Sequence, residues 1–353
     1  MFDAGYLNGA WPDLHPIPTG DPVCAMRRQC LTAAAFAILG GWAPLTSAAS
    51  FPDKPLVLLV PYPAGGASDV VARIFAQAMG PFLKQAVLVE NLGGGTGQVA
   101  VQKLLGAPAD GQMVLQGSVN EVLLVPLTNP LARYRPQDFR LVVAVSEAPI
   151  VLLVRQGLAV DRFDDWIALA RNSQGNPLSY ATVGNDSLYH LMGEALAARL
   201  GLHLLHVPYK GAAPALQDVA GGQIDCAILP YQSSFEAMAS KGRLRILSSF
   251  SSSLPRFLAA VPLITESRIC PDFVHSVAGG YFVRQATPPV AMATLRDAIH
   301  QALARPELRE RLEQEGKTLL EPVSSQAECD QRFERMTQRM TALVQSVGRV
   351  AGR

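Results

Sequence analysis

Charge is what this sequence has little of. Only 17% of its 353 residues are Asp, Glu, Lys or Arg, and the formal net charge is +1. There is no Lys/Arg run and no stacked aromatic series, so the electrostatic footprint of a nucleic-acid binder is missing. Motifs that carry chemistry are missing as well: no H-E-x-x-H, no G-x-S-x-G, no G-x-x-x-x-G-K-[ST] and no cluster of metal ligands. No catalytic residue, cofactor or metal is assigned on these grounds, which moves the balance from catalysis toward binding. Cysteine is scarce too. Of five, Cys24 and Cys30 fall in a stretch expected to be removed, which leaves Cys226, Cys270 and Cys329. That odd, widely spaced set is neither a disulfide framework nor a zinc site, although one pair could form in an oxidising compartment. No apolar run reaches membrane-spanning length.

What is present is apolar residues, 49% of the chain, enough to bury substantial cores in two domains. Near the N-terminus, Arg27 and Arg28 precede an uncharged run from Leu31 to Ala43, and Ser47, Ala48 and Ala49 follow as small residues for cleavage. These are the three parts of a secretory signal, and a run of about 13 residues is too short to cross a bilayer. Export to the periplasm with cleavage near Ala49 is expected. Residues 1–25 do not belong to that signal, and Met26 is the better-placed translation start.

The stretch that organises the rest is Leu56 to Met79, LVLLVPYPAGGASDVVARIFAQAM. Leu56 to Val60 reads as a strand buried on both faces. Gly65 and Gly66 permit a tight turn, with Ser68 or Asp69 expected to cap the helix that follows and Gly80 and Pro81 to end it. A helix N-terminus at the carboxyl end of a buried strand offers unpaired N–H groups to a carboxylate or phosphate.

The same unit recurs along the chain. Ala86 to Glu90 is a strand before Asn91-Leu-Gly-Gly-Gly-Thr-Gly97, where Thr96 is expected to cap the next helix. That loop fails the dinucleotide fingerprint, because Gln98 stands where the third glycine belongs. Met113 to Gln116 is a strand ending at Gly117-Ser118-Val119-Asn120. Leu141 to Val145 and Ile150 to Val154 are two short apolar runs; between them Ser146 to Pro149 break the periodicity, and the first crossing between lobes is placed close to here. Further on, Gly184-Asn185-Asp186-Ser187 is a second glycine turn before a helix, and Pro208-Tyr-Lys-Gly211 is another. The expected fold is therefore α/β, with mostly parallel sheets flanked by helices.

Five stretches together carry a family resemblance: VPYPAGGASD (from Val60), VENLGGGTG (from Val89), SYATVGNDSLYH (from Ser179), HVPYKGAAPAL (from His206) and ATPPVAMATLRDAIHQALARPELRERL (from Ala286). In this order and over nearly the whole mature chain, they resemble the Bug-type extracytoplasmic solute receptors, the substrate-binding component of tripartite tricarboxylate transporters. The resemblance implies a two-lobed periplasmic-binding-protein fold with a ligand cleft between lobes and hinge closure on binding. Lobe 1 would be residues 50–153 plus 274–353 and lobe 2 residues 154–273, after an extension and signal over 1–49. It implies a small organic carboxylate as ligand, membrane permease subunits as possible partners and no need for more than a monomer. The carboxylate would be held mainly by backbone N–H groups and hydroxyls, at Tyr62, Ala64, Gly65, Gly66, Ser68, Asp69 and Ser118 on one side. On the other side it would meet Gly184, Asn185, Ser187, His190 and Tyr209, with Lys210 at the border.

Two departures from the family pattern stand out. Asp186 precedes Ser187 where a glycine is usual, so a carboxylate faces the expected anion or caps the helix. Leu229-Pro230 replaces an Asp-Asn pair, which predicts a ligand less polar at that end. Two other readings remain beside the receptor: an exported enzyme with Asp69 and His190 as acid and base, and a receptor that feeds a sensor.

Overall fold

The computed structural model describes residues 51–173 and 175–349; the secretory signal, its cleavage site and the Met26 start lie outside them. The chain opens with β1 (Leu56–Val60), α1 (Ala67–Leu83), β2 (Val87–Asn91), α2 (Gln98–Gly106) and β3 (Met113–Ser118). A π-helical turn at Asn120–Leu124 and the short α3 (Val125–Thr128) lead to a long strand, β4 (Phe139–Arg155). Then follow α4 (Phe163–Asn172), β5 (Leu178–Thr182), α5 (Leu188–Leu200), β6 (Leu204–Pro208), α6 (Ala212–Ala220), β7 (Cys226–Pro230), α7 (Ser234–Ala239) and β8 (Leu244–Ser249). The chain returns through β9 (Ser276–Arg284), α8 (Pro289–Leu303), α9 (Pro306–Gln314), β10 (Thr318–Leu319) and α10 (Gln326–Ser346).

The strands run in the order β2-β1-β3-β9-β4-β7-β5-β6, with β8 and β10 also on β4. β1, β2 and β3 are parallel, and so are β5, β6 and β7. Each parallel set demands crossover helices, which is why the sequence alternates strand and helix there. β9 and β4 run antiparallel between the two sets. β4 joins them. From Phe139 to Pro149 it pairs with β9, and from Ile150 onward with β7 and β8.

The two apolar runs thus belong to one continuous strand. Ser146 to Pro149 break the apolar pattern yet stay in the ladder, opposite Ser276 to Gly279 of β9, while Ser146 and Glu147 also pair with β10. Proline is tolerated because only its carbonyl is needed, and the Pro149 carbonyl accepts from Tyr231 N at 2.8 Å.

β1 is apolar throughout because both faces are covered: Leu56, Leu58 and Val60 pack under α1, α8 and α9, and Leu59 packs toward α2. Phe75 of α1 meets the Tyr281 ring edge-on at 5.3 Å, an arrangement that adds about 0.5–1.5 kcal/mol to the burial itself. Gly80 and Pro81 do not end α1. It runs to Leu83 and stops where Lys84 turns left-handed at φ 52°. No helix among the described residues is long and apolar enough to cross a membrane.

Candidate functional site

A cleft lies where the carboxyl ends of β1 and β3 meet the N-termini of α1 and α6. It encloses about 890 Å³, its open mouth included. Four of the residues read from the sequence, Tyr62, Gly66, Ser68 and Ser118, line it. Val145, Ala148, Pro230 and Val277 form much of its apolar wall.

The α1 end is open to an anion. Its N-cap is Gly66, with no side-chain cap. Neither Ser68 nor Asp69 caps it, as each sits a position or more inside the helix. Asp69 instead turns back, accepting from Gly65 N at 2.9 Å and pairing with Arg73 at 3.0 Å. Burial pushes the Asp69 carboxyl up, but Arg73 and the Gly65 N–H outweigh it and hold it below its usual value. The turn is pinned from both sides. Asn91 Nδ2 donates to the Tyr62 carbonyl at 3.1 Å, and Gln116 Nε2 donates to the Ser68 carbonyl at 2.7 Å.

A second open helix end comes from α6. Gly211 is its N-cap, again without a side-chain cap, and Gly211, Ala212 and Ala213 line the cleft. Two helix N-termini thus face one cavity, a converging set of partial positive charges and N–H donors suited to a carboxylate.

The expected second turn is differently used. Ser187 does cap α5, accepting from His190 N at 3.3 Å while its hydroxyl donates to the Gly184 carbonyl at 2.8 Å. Asn120 Oδ1 accepts from Leu188 N at 2.8 Å, so this helix end is already occupied. Gly184, Asn185, Ser187 and His190 are not in the cleft wall, and neither are Ala64, Gly65, Asp69 or Tyr209. Gly184 and Asn185 face the glycine-rich loop, where Thr96 Oγ1 donates to the Asn185 carbonyl at 2.6 Å. Thr96 caps nothing: the N-cap of α2 is Gly97. Tyr209 donates to Asp218 at 2.5 Å and Lys210 is exposed.

His190 and His206 stack at 3.8 Å, and Nδ1 of His190 accepts from Asp186 N at 3.1 Å. Burial, then the Arg349 charge, draws His190 down to about 4. Burial, then His190, does the same to His206. Asp186 does not cap the helix through its side chain and does not line the cleft; Arg349 pairs with it and with Glu194 at 2.6 Å.

Sequence reasoning missed Gln116, Asn120, Glu121, Tyr189, Gly211, Ala212 and Lys317, all in the wall. Asn120 and Glu121 were reachable, since they follow the carboxyl end of a parallel strand, where such clefts form. Glu121 is wholly buried, accepts from Ser118 N and Oγ at 2.7 and 2.9 Å, and leaves Oε1 without a partner. Burial pushes its carboxyl up, outweighing the Tyr62 phenol and the Ser118 donors that draw it down. The local backbone is cut to fit it, because a Cβ on Gly97 would stand 2.3 Å from Glu121 Cγ.

Fold and cleft together define a periplasmic-binding-protein-type solute receptor. Residues 71–349 match the model of the tripartite tricarboxylate transporter family receptor, and the chain belongs to that family. It is 33% identical over 293 residues to a protein of the tcbD-tcbE intergenic region of Pseudomonas sp. (strain P51), covering 82% of this chain and 86% of that one. It is 30% identical over 295 residues to protein BugT of Bordetella pertussis, covering 83% and 90%. Among solved structures, the periplasmic binding protein BugD superposes with a TM-score of 0.76 at 26% identity, over 86% of this chain and all (100%) of that one. MatC of Rhodopseudomonas palustris with bound malate gives 0.76 at 25% identity, over 83% and 100%.

Proposed function

We propose that this receptor captures a small organic carboxylate in the cleft, outside the cytoplasmic membrane, and presents it to a tripartite-type permease without altering it covalently. The observation that carries the reading is the pair of uncapped helix N-termini, α1 at Gly66 and α6 at Gly211, opening on one cavity. Malate in the MatC structure supports it. Residues 50–153 with 274–353, and residues 154–273, act as two lobes that close about the β4 and β9 crossing. A monomer suffices for that. A signal cleaved near Ala49 exports the chain, and N-terminal sequencing of the periplasmic form checks the site. At Pro230 the wall offers no acceptor side chain, so the ligand brings no amino or hydroxyl donor there.

The test is calorimetric titration of the purified, ligand-stripped protein with mono-, di- and tricarboxylates, beside amino acids as controls. A ligand at about 100 times its dissociation constant should also stabilise the fold by roughly 2.7 kcal/mol. Gly66→Val is the decisive variant. Gly66 has an ordinary φ of −85° and a Cβ there would meet nothing closer than 3.6 Å, so the backbone accepts a side chain in the cleft wall. Carboxylate binding should fall by about tenfold or more, while the unliganded fold loses no more than about 1–2 kcal/mol for the poorer N-cap. Unchanged affinity in that variant removes the site from this cleft.

A further inference from the structure

Capture of one carboxylate by helix termini leaves an ionisable group in the cleft wall unused. Lys317 is only 6% exposed, and it lines the cavity. It is delivered by the turn between α9 and β10, which admits only glycine before it: Gly316 has φ 75°, and a Cβ there would lie 2.1 Å from the Tyr231 ring. β10 then anchors the turn to β4 at Ser146, itself a wall residue. The ammonium has three protons to donate and one protein acceptor, the Tyr231 carbonyl at a long 3.4 Å. Among the described residues it forms no ion pair. Glu315, the charged group that acts on it, is engaged by Ser233 N and Oγ at 3.3 and 2.9 Å. Across the turn, Glu147 of β4 is held by Ser276 at 2.9 Å, and the phenol of Tyr231 is pushed up by burial and stays neutral. A buried ammonium so poorly satisfied is costly, and an apolar chain of its length would suit the same wall better. Its return has to come from something that enters the cleft.

We propose that Lys317 determines specificity by pairing its ammonium with a second acidic group of the ligand, so that the cleft prefers a dicarboxylate to the monocarboxylate of equal chain length. This rests on the carboxylate reading above, with the α1 and α6 ends taking the first acid group. Burial draws the free ammonium down to about 8, so it is mostly charged at neutral pH. Pairing raises it in the complex. Diacid affinity is therefore level from about pH 7 to about pH 8 and declines above it more steeply than monoacid affinity, which shares every other charged group of the wall, buried Glu121 included.

The experiment titrates the purified protein with the succinate-to-suberate series and the matching monoacids at about pH 7 and about pH 9, in the unaltered chain, in Lys317→Met and in Lys317→Arg. The unaltered chain should favour a diacid by about tenfold or more at the lower pH and by less at the higher. Lys317→Met should lose the preference, and Lys317→Arg should retain it at both. A preference that survives Lys317→Met overturns the assignment and leaves the receptor reading standing. Failure of the unaltered chain to bind any of the acids sinks both. Should Lys317→Met not fold, the unaltered chain decides alone, since a diacid preference equal at the two pH values also overturns it.

Discussion

At the scale of single residues, a handful of polar side chains shape the cleft. Asp69, Asn91 and Gln116 fix the α1 turn, Asn120 fills the α5 end, and Glu121 holds Ser118. His190 and His206 serve as a neutral stacked pair. Burial draws both down to about 4, and His275 likewise. A histidine whose folded value lies below its unfolded one contributes stability that is present above about pH 6.5 and is lost as the pH falls toward the folded value. Unfolding free energy should therefore decline between about pH 6.5 and pH 4, by no more than about 1.4 kcal/mol per pH unit for each imidazole. His190→Gln keeps an acceptor for Asp186 N but removes one proton site, so urea titrations should give it a shallower acid limb. An acid limb of unchanged slope would mean that His190 is not held neutral.

At the scale of elements, what distinguishes the helices is how each begins. α1 and α6 start on bare glycines and remain open, whereas α5 starts on Ser187 and is closed. The α1 and α5 starts look alike as sequence: glycine, small polar residues, then an apolar face. Only the neighbouring chain separates them, because Asn120 comes from the β3 side to occupy Leu188 N. Gly184 shows the same dependence. Its φ of 137° and the Thr96 hydroxyl, 2.5 Å from where a Cβ would stand, leave no room for a side chain. Gly184→Ala should lower stability by about 1–3 kcal/mol and disturb the Thr96–Asn185 contact, as read by thermal melts. Wild-type stability in that variant would refute the close approach of the two loops.

At the scale of the whole molecule, β4 is the part on which both strand sets depend. It leaves the β9 ladder and enters that of β7 and β8 between Pro149 and Ile150, while the cleft draws its walls from both sides of that point. Closure of residues 154–273 onto the remainder would bury a ligand and shift the Thr96–Asn185 contact between them. Small-angle scattering should record a smaller radius of gyration at ligand saturation than in ligand-stripped protein. Identical curves, with binding confirmed in the same sample, would refute hinge closure.

The sequence by itself determined the α/β class, the parallel strands, the glycine turn after β1 and membership of the receptor family, because these depend on local periodicity and on motifs contiguous in the chain. Of the residues it offered as ligand contacts, Tyr62, Gly66, Ser68 and Ser118 line the cleft and the others do not. It misread Ser146 to Pro149 as a break, since ladder pairing with β9 and β10 is invisible to a local pattern. It also overlooked Lys317, which looks like any charged residue after a polar helix until the turn at Gly316 carries it inward. Only the tertiary structure decided which helix ends stay open, which charges are cancelled and which remain, since those depend on groups far apart in sequence competing for the same donors. Asp186 met Arg349 from the far end of the chain, and Lys317 met no ion-pair partner among the described residues.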